Sequence, residues 1–208
     1  MATHVQGLSR GTLETVPAVC QGCVWWQSRS GRRADKEKWI ERLEDGSGAG
    51  AWGTVYQDDE GRLLGSMQYG PAHLFPRAAE LPAGPPSLDA VLVTCVYLVD
   101  RSSPWVMQSL FLAAIGEARD AGAAAVEAFA YRYPEGQSAY ERFQVHKTVF
   151  PRDFLSDFGF HTVRVAGRVE LARLDLGGLQ PVAAGRRSHV LRVVREAFFP
   201  HPVPAPRP

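Results

Sequence analysis

Leu88-Asp-Ala-Val-Leu-Val-Thr-Cys-Val-Tyr-Leu-Val99 is nearly continuous in apolar residues, the composition of a strand covered on both faces rather than one with a wet side. It is the expected central strand. After the polar break Asp100-Arg-Ser-Ser103, apolar residues fall at 107, 110, 111, 114, 115, 118 and 121, the spacing of one helical face. Ser103 is placed to serve as N-cap, Pro104 as first helical residue and Gly122 as C-terminal stop. Ala124 to Tyr133 reads as the next strand. A helix between two strands makes them parallel, joined by a right-handed crossover, so a β-α-β unit is predicted.

Upstream, Ala51 to Tyr56 and Arg62 to Tyr69 read as strands joined by the hairpin signal Gln57-Asp-Asp-Glu-Gly61. Asp35 to Leu43 reads as a short helix presenting Trp39, Ile40 and Leu43, ended by Gly46 to Gly50. Cys20-Gln-Gly-Cys23-Val-Trp-Trp26 pairs a turn with a bulky apolar run, and residues 1–19 show no clear period and are expected to be a flexible lead-in. Residues 70–87 carry Pro71, Pro76, Pro82, Pro85 and Pro86, too many for a helix or a central strand. Downstream, Pro134 to Phe150 is polar and irregular, Pro151 to Asp157 reads as a short helix stopped by Gly159-Phe160, and 160–165 with 168–176 form a hairpin around Ala166-Gly167. Residues 177–199 read as a basic amphipathic helix and 200–208, with proline at every second position, as an extended tail.

Charge narrows the function classes. The 208 residues hold 23 basic and 22 acidic side chains, a net charge of +1, with 45% hydrophobic and 22% charged residues. This is globular usage, and it excludes wholesale disorder. The tail from 177 holds five arginines against Glu196, +4, which leaves −3 for residues 1–176. Such a core lacks the positive field that draws nucleic acid or anionic membranes from a distance, so neither is an expected partner. Only Lys36, Lys38 and Lys147 are lysines, so 20 of the 23 basic residues are arginine; beside the many Gly, Ala and Pro this reads as coding bias. The longest apolar run, Ala90 to Val99 broken at Thr94, is about half the roughly 20 residues of a membrane span. No stretch reads as a signal peptide, and three cysteines are too few for a disulfide framework, so the expected location is the cytoplasm with reduced thiols.

The order helix, hairpin, central strand, helix, parallel strand, short helix ending in Gly-Phe, then hairpin resembles the GNAT acyltransferase superfamily. The resemblance covers about residues 20–176 and is sharpest in Cys20 to Trp26, Ser87-Leu-Asp-Ala90, Val126-Glu-Ala-Phe129 and Phe154-Leu-Ser-Asp-Phe-Gly-Phe160. The Cys-x-x-Cys followed by tryptophan looks like an actinobacterial GNAT-like group. The implied fold is α/β and GNAT-like: a mixed central sheet with a β-α-β unit, flanking helices and a C-terminal hairpin. The implied donor is acetyl-CoA or another acyl-CoA, used to acylate an amine of a small molecule or peptide. By the same resemblance the backbone of Tyr97 to Val99 would pair with pantetheine, and the first helical turn, Trp105, Val106 and Met107, would face the pyrophosphate with Arg101, Ser102 and Ser103 close by.

Two departures from the family pattern matter. No glycine occurs between Gly84 and Gly116, where the family places a glycine turn that lets backbone N–H groups approach phosphates. Pro104 donates no N–H, and Trp105, Val106 and Met107 carry side chains where glycines would expose backbone, so pyrophosphate binding is expected to be weakened or lost. The position where many members carry a proton-donating tyrosine, five residues before the Gly-Phe phenylalanine, is Leu155. Tyr131, Tyr133 and Tyr140 are the neighbouring hydroxyls, and Tyr131 is the candidate taken forward.

Asp89, where the proline-rich loop enters the central strand, suits a proton acceptor as well as a turn-capping carboxylate. Glu127, in an otherwise apolar strand, needs a partner if buried, and a base and a structural ion pair both fit it. His146 suits a base or a solvated loop residue, and Cys95 a core thiol. Cys20 and Cys23 have metal-ligand spacing, but no second Cys or His pair completes a four-ligand zinc site, so a structural turn under Trp25 and Trp26 is expected and no metal. The basic helix can pack on its own subunit or on a second copy as a homodimer. The competing functional expectation is a GNAT-fold protein that binds a ligand or protein partner, or catalyses another reaction, without the usual use of CoA.

Overall fold

The computed structural model describes residues 5–29, 35–46, 52–100, 103–133 and 149–178. Among these, eight strands form one sheet: β1 Val5–Gly7, β2 Gly53–Gln57, β3 Leu63–Pro71, β4 Ala90–Leu98, β5 Ala125–Tyr131, β6 Phe150–Pro151, β7 His161–Ala166 and β8 Val169–Asp175. Their order is β1-β2-β3-β4-β5-β8-β7, with β6 added beside β5. Pairing is antiparallel except for β4 with β5 and β5 with β6. The described α-helices are α1 Ala18–Gln21, α2 Lys36–Gly46, α3 Pro104–Asp120 and α4 Arg152–Asp157. The predicted β4-α3-β5 unit and C-terminal hairpin are both present in this mixed α/β sheet. The chain divides into Met1–Gly177 and Gly178–Pro208. The helix expected over 177–199 and the tail over 200–208 lie outside the described residues from 179 onward, as does His146.

β4 is apolar throughout because both its faces are covered. On one side Val93 and Val96 join Met67, Tyr69, Val126 and Ala128 beneath Val106, Met107, Leu110, Phe111 and Ala114 of α3. On the other, Leu92 joins Val55, Phe129 and Leu171 beneath Trp26, Trp39, Ile40 and Leu43. α3 ends where Gly122 takes a φ of +77° and the Ala123 N–H reaches Ala118 O at 3.0 Å, a glycine stop at a left-handed position. Its start differs from expectation. Ser103 sits at the N-cap position but makes no side-chain cap; its hydroxyl bonds the Asp100 carboxylate at 2.9 Å.

Two other segments differ from the sequence reading. Residues 5–16, expected as a lead-in, add β1 to the sheet edge beside β2 and bury Leu8 and Val16. A three-residue strand with only two buried anchors shows no readable period. The proline-rich stretch is ordered as the 3-10 turns Ala72–Leu74 and Pro76–Glu80, with Phe75, Ala78 and Ala83 buried against Trp39 and its neighbours. At Gly84 a Cβ would stand 2.1 Å from Ala78 O, so Gly84→Ala is expected to cost about 1–3 kcal/mol. A lowered urea midpoint at unchanged slope would show it.

Candidate functional site

The parallel register of β4 and β5 runs from Ala90–Ala125 to Val93–Ala128 and stops there, although β4 continues to Leu98. The cause is local. Gln68 pairs with Cys95 but Tyr69 with Val93, so Thr94 is an extra residue in β4, a bulge that bends the strand and increases its twist. β8 takes one edge of β5 from Ala125 to Tyr131, so β6, paired at Ala130 and Tyr131, occupies the edge facing β4. A wedge therefore opens between the second half of β4 and β6, with its crotch at Thr94.

Alternation decides which β4 backbone groups face the wedge. The Val99 N–H bonds Leu64 O on β3 at 2.9 Å. A Cβ built on Gly65 would meet Tyr97 O at 2.9 Å, so this carbonyl also points to β3. Successive residues direct their N–H and C=O to opposite edges, which leaves Val96 and Leu98 to face the wedge. Among the described residues no strand pairs with that edge. Tyr97 and Val99, named from sequence, are thus the alternate positions.

On the α2 side of the crotch lies a buried polar chain. The Lys36 ammonium donates to Gln68 Oε1 at 2.8 Å, and Gln27 Nε2 donates to the same oxygen at 3.0 Å. Gln68 Nε2 donates to Thr94 Oγ1 at 3.0 Å, and the Thr94 hydroxyl bonds Gln68 O at 3.0 Å. Cys95 Sγ lies 3.9 Å from Thr94 Oγ1. Lys36, only 7% exposed, sits 4.8 Å from the Trp39 ring and 5.0 Å from the Trp52 ring. No carboxylate pairs with it among the described residues. Burial pulls its amine below the ordinary lysine range, against the opposing influence of Cys95, Cys23 and Cys20. Beside this group Trp26 stacks on Phe129 with centroids 6.0 Å apart. Tyr131 shares the Phe129 face of β5 by alternation and packs against Tyr133 at 4.7 Å.

Lys36 was not singled out in the sequence, yet a signal was there. It precedes Trp39, Ile40 and Leu43 by three, four and seven residues, which puts a lysine on the buried stripe of α2.

Asp89 stands just before β4, and Glu127 stands on β5 opposite Leu92, one pair before the parallel register stops; Arg173 of β8 joins them. Its Nη1 stands 3.2 Å from Asp89 Oδ1 and 3.2 Å from Glu127 Oε1, and its Nη2 3.0 Å from Asp89 Oδ2. Glu127, fully buried, also accepts the Ser87 N–H at 2.8 Å. The hydrogen bonds from Arg173 hold the Asp89 carboxyl below the usual carboxylate range. A second buried carboxylate, Glu170, accepts from Thr162 at 2.6 Å, from Arg152 at 3.2 Å and from Arg132. Burial raises its proton affinity, but the bonds from Thr162 and Arg132 outweigh that and hold it ionised. It ties α4 and the end of β5 to β8.

At the start of α3 the side chains turn toward the sheet. Trp105 packs edge-on against Tyr56 at 5.4 Å, and Val106 and Met107 are buried in the core. Leu155 is buried in the same core. Arg101 and Ser102 lie outside the described residues. Cys20, Cys23 and Cys95 are not joined in a disulfide, and among the described residues no cluster of His, Cys, Asp or Glu could hold a metal. No described helix is long and apolar enough to cross a membrane.

No protein-family model matches the sequence, and no curated protein matches it. Solved structures do. A GCN5-related N-acetyltransferase from Kribbella flavida is 13% identical, covering 83% of this chain and 96% of its own, with a TM-score of 0.49. A Salmonella typhimurium protein solved with its cofactor acetyl-CoA is 15% identical over 86% of this chain and 97% of its own, TM-score 0.47. An N-acetyltransferase from Staphylococcus aureus is 14% identical over 83% and 97%, TM-score 0.47. At these identities the likeness concerns the fold.

Proposed function

We propose that this chain is a GNAT-like N-acyltransferase that moves an acyl group, acetyl in the simplest case, from acyl-CoA to an amine of a small molecule or peptide. The observation that carries the reading is the wedge. A pantetheine arm is an extended chain with its own amides, and the strand edge at Val96 and Leu98 offers it the backbone partners that β5 gives up after Ala128. Asp89 and Glu127, bound to Arg173, serve by keeping β4 and β5 together below the wedge. Tyr131 offers a hydroxyl on the β5 side for protonating a leaving thiol. Three cysteines outside any disulfide suit a reducing compartment, the cytoplasm.

The residues present fit the pantetheine arm better than the diphosphate. α3 begins without a glycine turn, the Ser103 hydroxyl is bound to Asp100, and that carboxylate disfavours a second anion nearby. The donor is therefore expected to be held mainly by its pantetheine end, so S-acetylpantetheine should stabilise the protein nearly as well as acetyl-CoA. Thermal shift with both ligands tests this. At one hundred times the dissociation constant a ligand adds about 2.7 kcal/mol, worth several degrees.

The second reading, a GNAT-fold protein that binds a ligand or partner without acyl transfer, is favoured by the same glycine-free turn and by Leu155 in the core. No stabilisation by either thioester at millimolar concentration would select it.

A further inference from the structure

Lys36 is an unusual residue in an unusual place. A buried ammonium normally has a carboxylate beside it, but among the described residues Lys36 has for its three protons one amide oxygen, that of Gln68, and two tryptophan rings. The chain otherwise uses arginine for 20 of its 23 basic residues. Arginine in this cage would be a permanent cation, whereas lysine can exist there as a neutral amine. Through Gln68, Lys36 is one side chain away from Thr94, the residue at which the wedge opens.

The geometry points to Lys36 as the group that takes the proton from the acceptor amine at the crotch of the wedge, an inference that rests on the acyl-transfer reading above. The acceptor arrives as an ammonium and gives one proton to the Lys36 nitrogen lone pair. Its freed lone pair forms the C–N bond as the thioester C–S bond breaks, and the second amine proton goes to the departing thiolate. Lys36 then loses its proton to solvent, so the sum is amide, thiol and one proton. Among the described residues, the titratable groups that act on Lys36 are the thiols of Cys95 on β4 and of Cys23 and Cys20 on the N-terminal segment. Burial pushes the Cys95 thiol up to about 12, so it stays protonated and does not fix the lysine as a cation. Burial that favours the neutral amine is an established route to a lysine general base.

The test uses the full chain labelled with ¹³Cε-lysine, which has only three lysines to observe. Lys38→Arg and Lys147→Arg, both leaving Lys36 in place, assign its signal by elimination. The expected result is a Lys36 midpoint below the ordinary lysine range and a Lys36 signal that moves when acetyl-CoA is added. A Lys36 that remains an ammonium to the top of that range, while acetyl-CoA still stabilises the protein, overturns the base and leaves the acyltransferase reading standing. A low midpoint with no stabilisation by acetyl-CoA overturns the acyltransferase reading instead, and the base role with it. If acetyl-CoA binds without moving the Lys36 signal, the amine is not at the acyl site and the inference fails.

Discussion

Arg173→Ala is expected to destabilise the protein by about 3–5 kcal/mol, because it strands the buried carboxylate of Glu127. For a chain of this length that corresponds to a melting temperature lower by about 10 °C. Glu127→Gln in the same background should recover much of the loss, since the uncompensated charge is then gone. The surface half of the clamp behaves differently. Asp89 is half exposed, so its pair with Arg173 contributes at most about 1 kcal/mol. With a folded pKa below its unfolded value, that contribution is present above the usual aspartate range and is lost as pH falls through the folded pKa. Asp89→Asn should remove this acid-side loss, measured as the difference in urea midpoint between neutral and acidic buffer.

Phe111→Ala is expected to cost about 3–5 kcal/mol. Phe111 is fully buried on α3, with the rings of Phe150, Phe154, Phe158 and Phe160 at 4.9, 5.1, 5.5 and 6.4 Å. It thereby holds β6, one wall of the wedge, and α4 against the sheet. Phe111→Leu keeps most of the buried volume and should lose less. If the wedge is where the donor binds, the alanine variant should also weaken acetyl-CoA stabilisation relative to the leucine variant, even below both melting temperatures.

The parts legible in the sequence are those where burial dictates residue type over a long stretch. β4 and α3 each present long apolar patterns to two-sided or one-sided cover, and Gly122 and Gly167 mark chain reversals at positive φ. What stayed hidden depends on register and on contacts distant in sequence. Nothing in Thr94 as a letter says that it is unpaired; the bulge exists only in the offset between Gln68–Cys95 and Tyr69–Val93. The two residues of β6 are too few to carry a period. Asp89 and Glu127 were legible as carboxylates in need of an account, but their partner lies on β8, 84 and 46 residues away. Lys36 was readable as a charge on an apolar stripe, while its tryptophan cage and its link to the bulge come from α2, β2 and β3 meeting over the sheet.

Under the proposed acyl transfer, the acyl-pantetheine chain lies along the β4 edge beyond Val93 in the place of a missing strand. Residue-resolved amide hydrogen exchange with and without saturating acetyl-CoA tests it most directly. Val96 and Leu98, which face the wedge, should exchange markedly more slowly with ligand, while Tyr97 and Val99, already directed at β3, should change little. Unchanged exchange at Val96 and Leu98 under saturating acetyl-CoA would mean that no acyl-pantetheine chain lies along this edge.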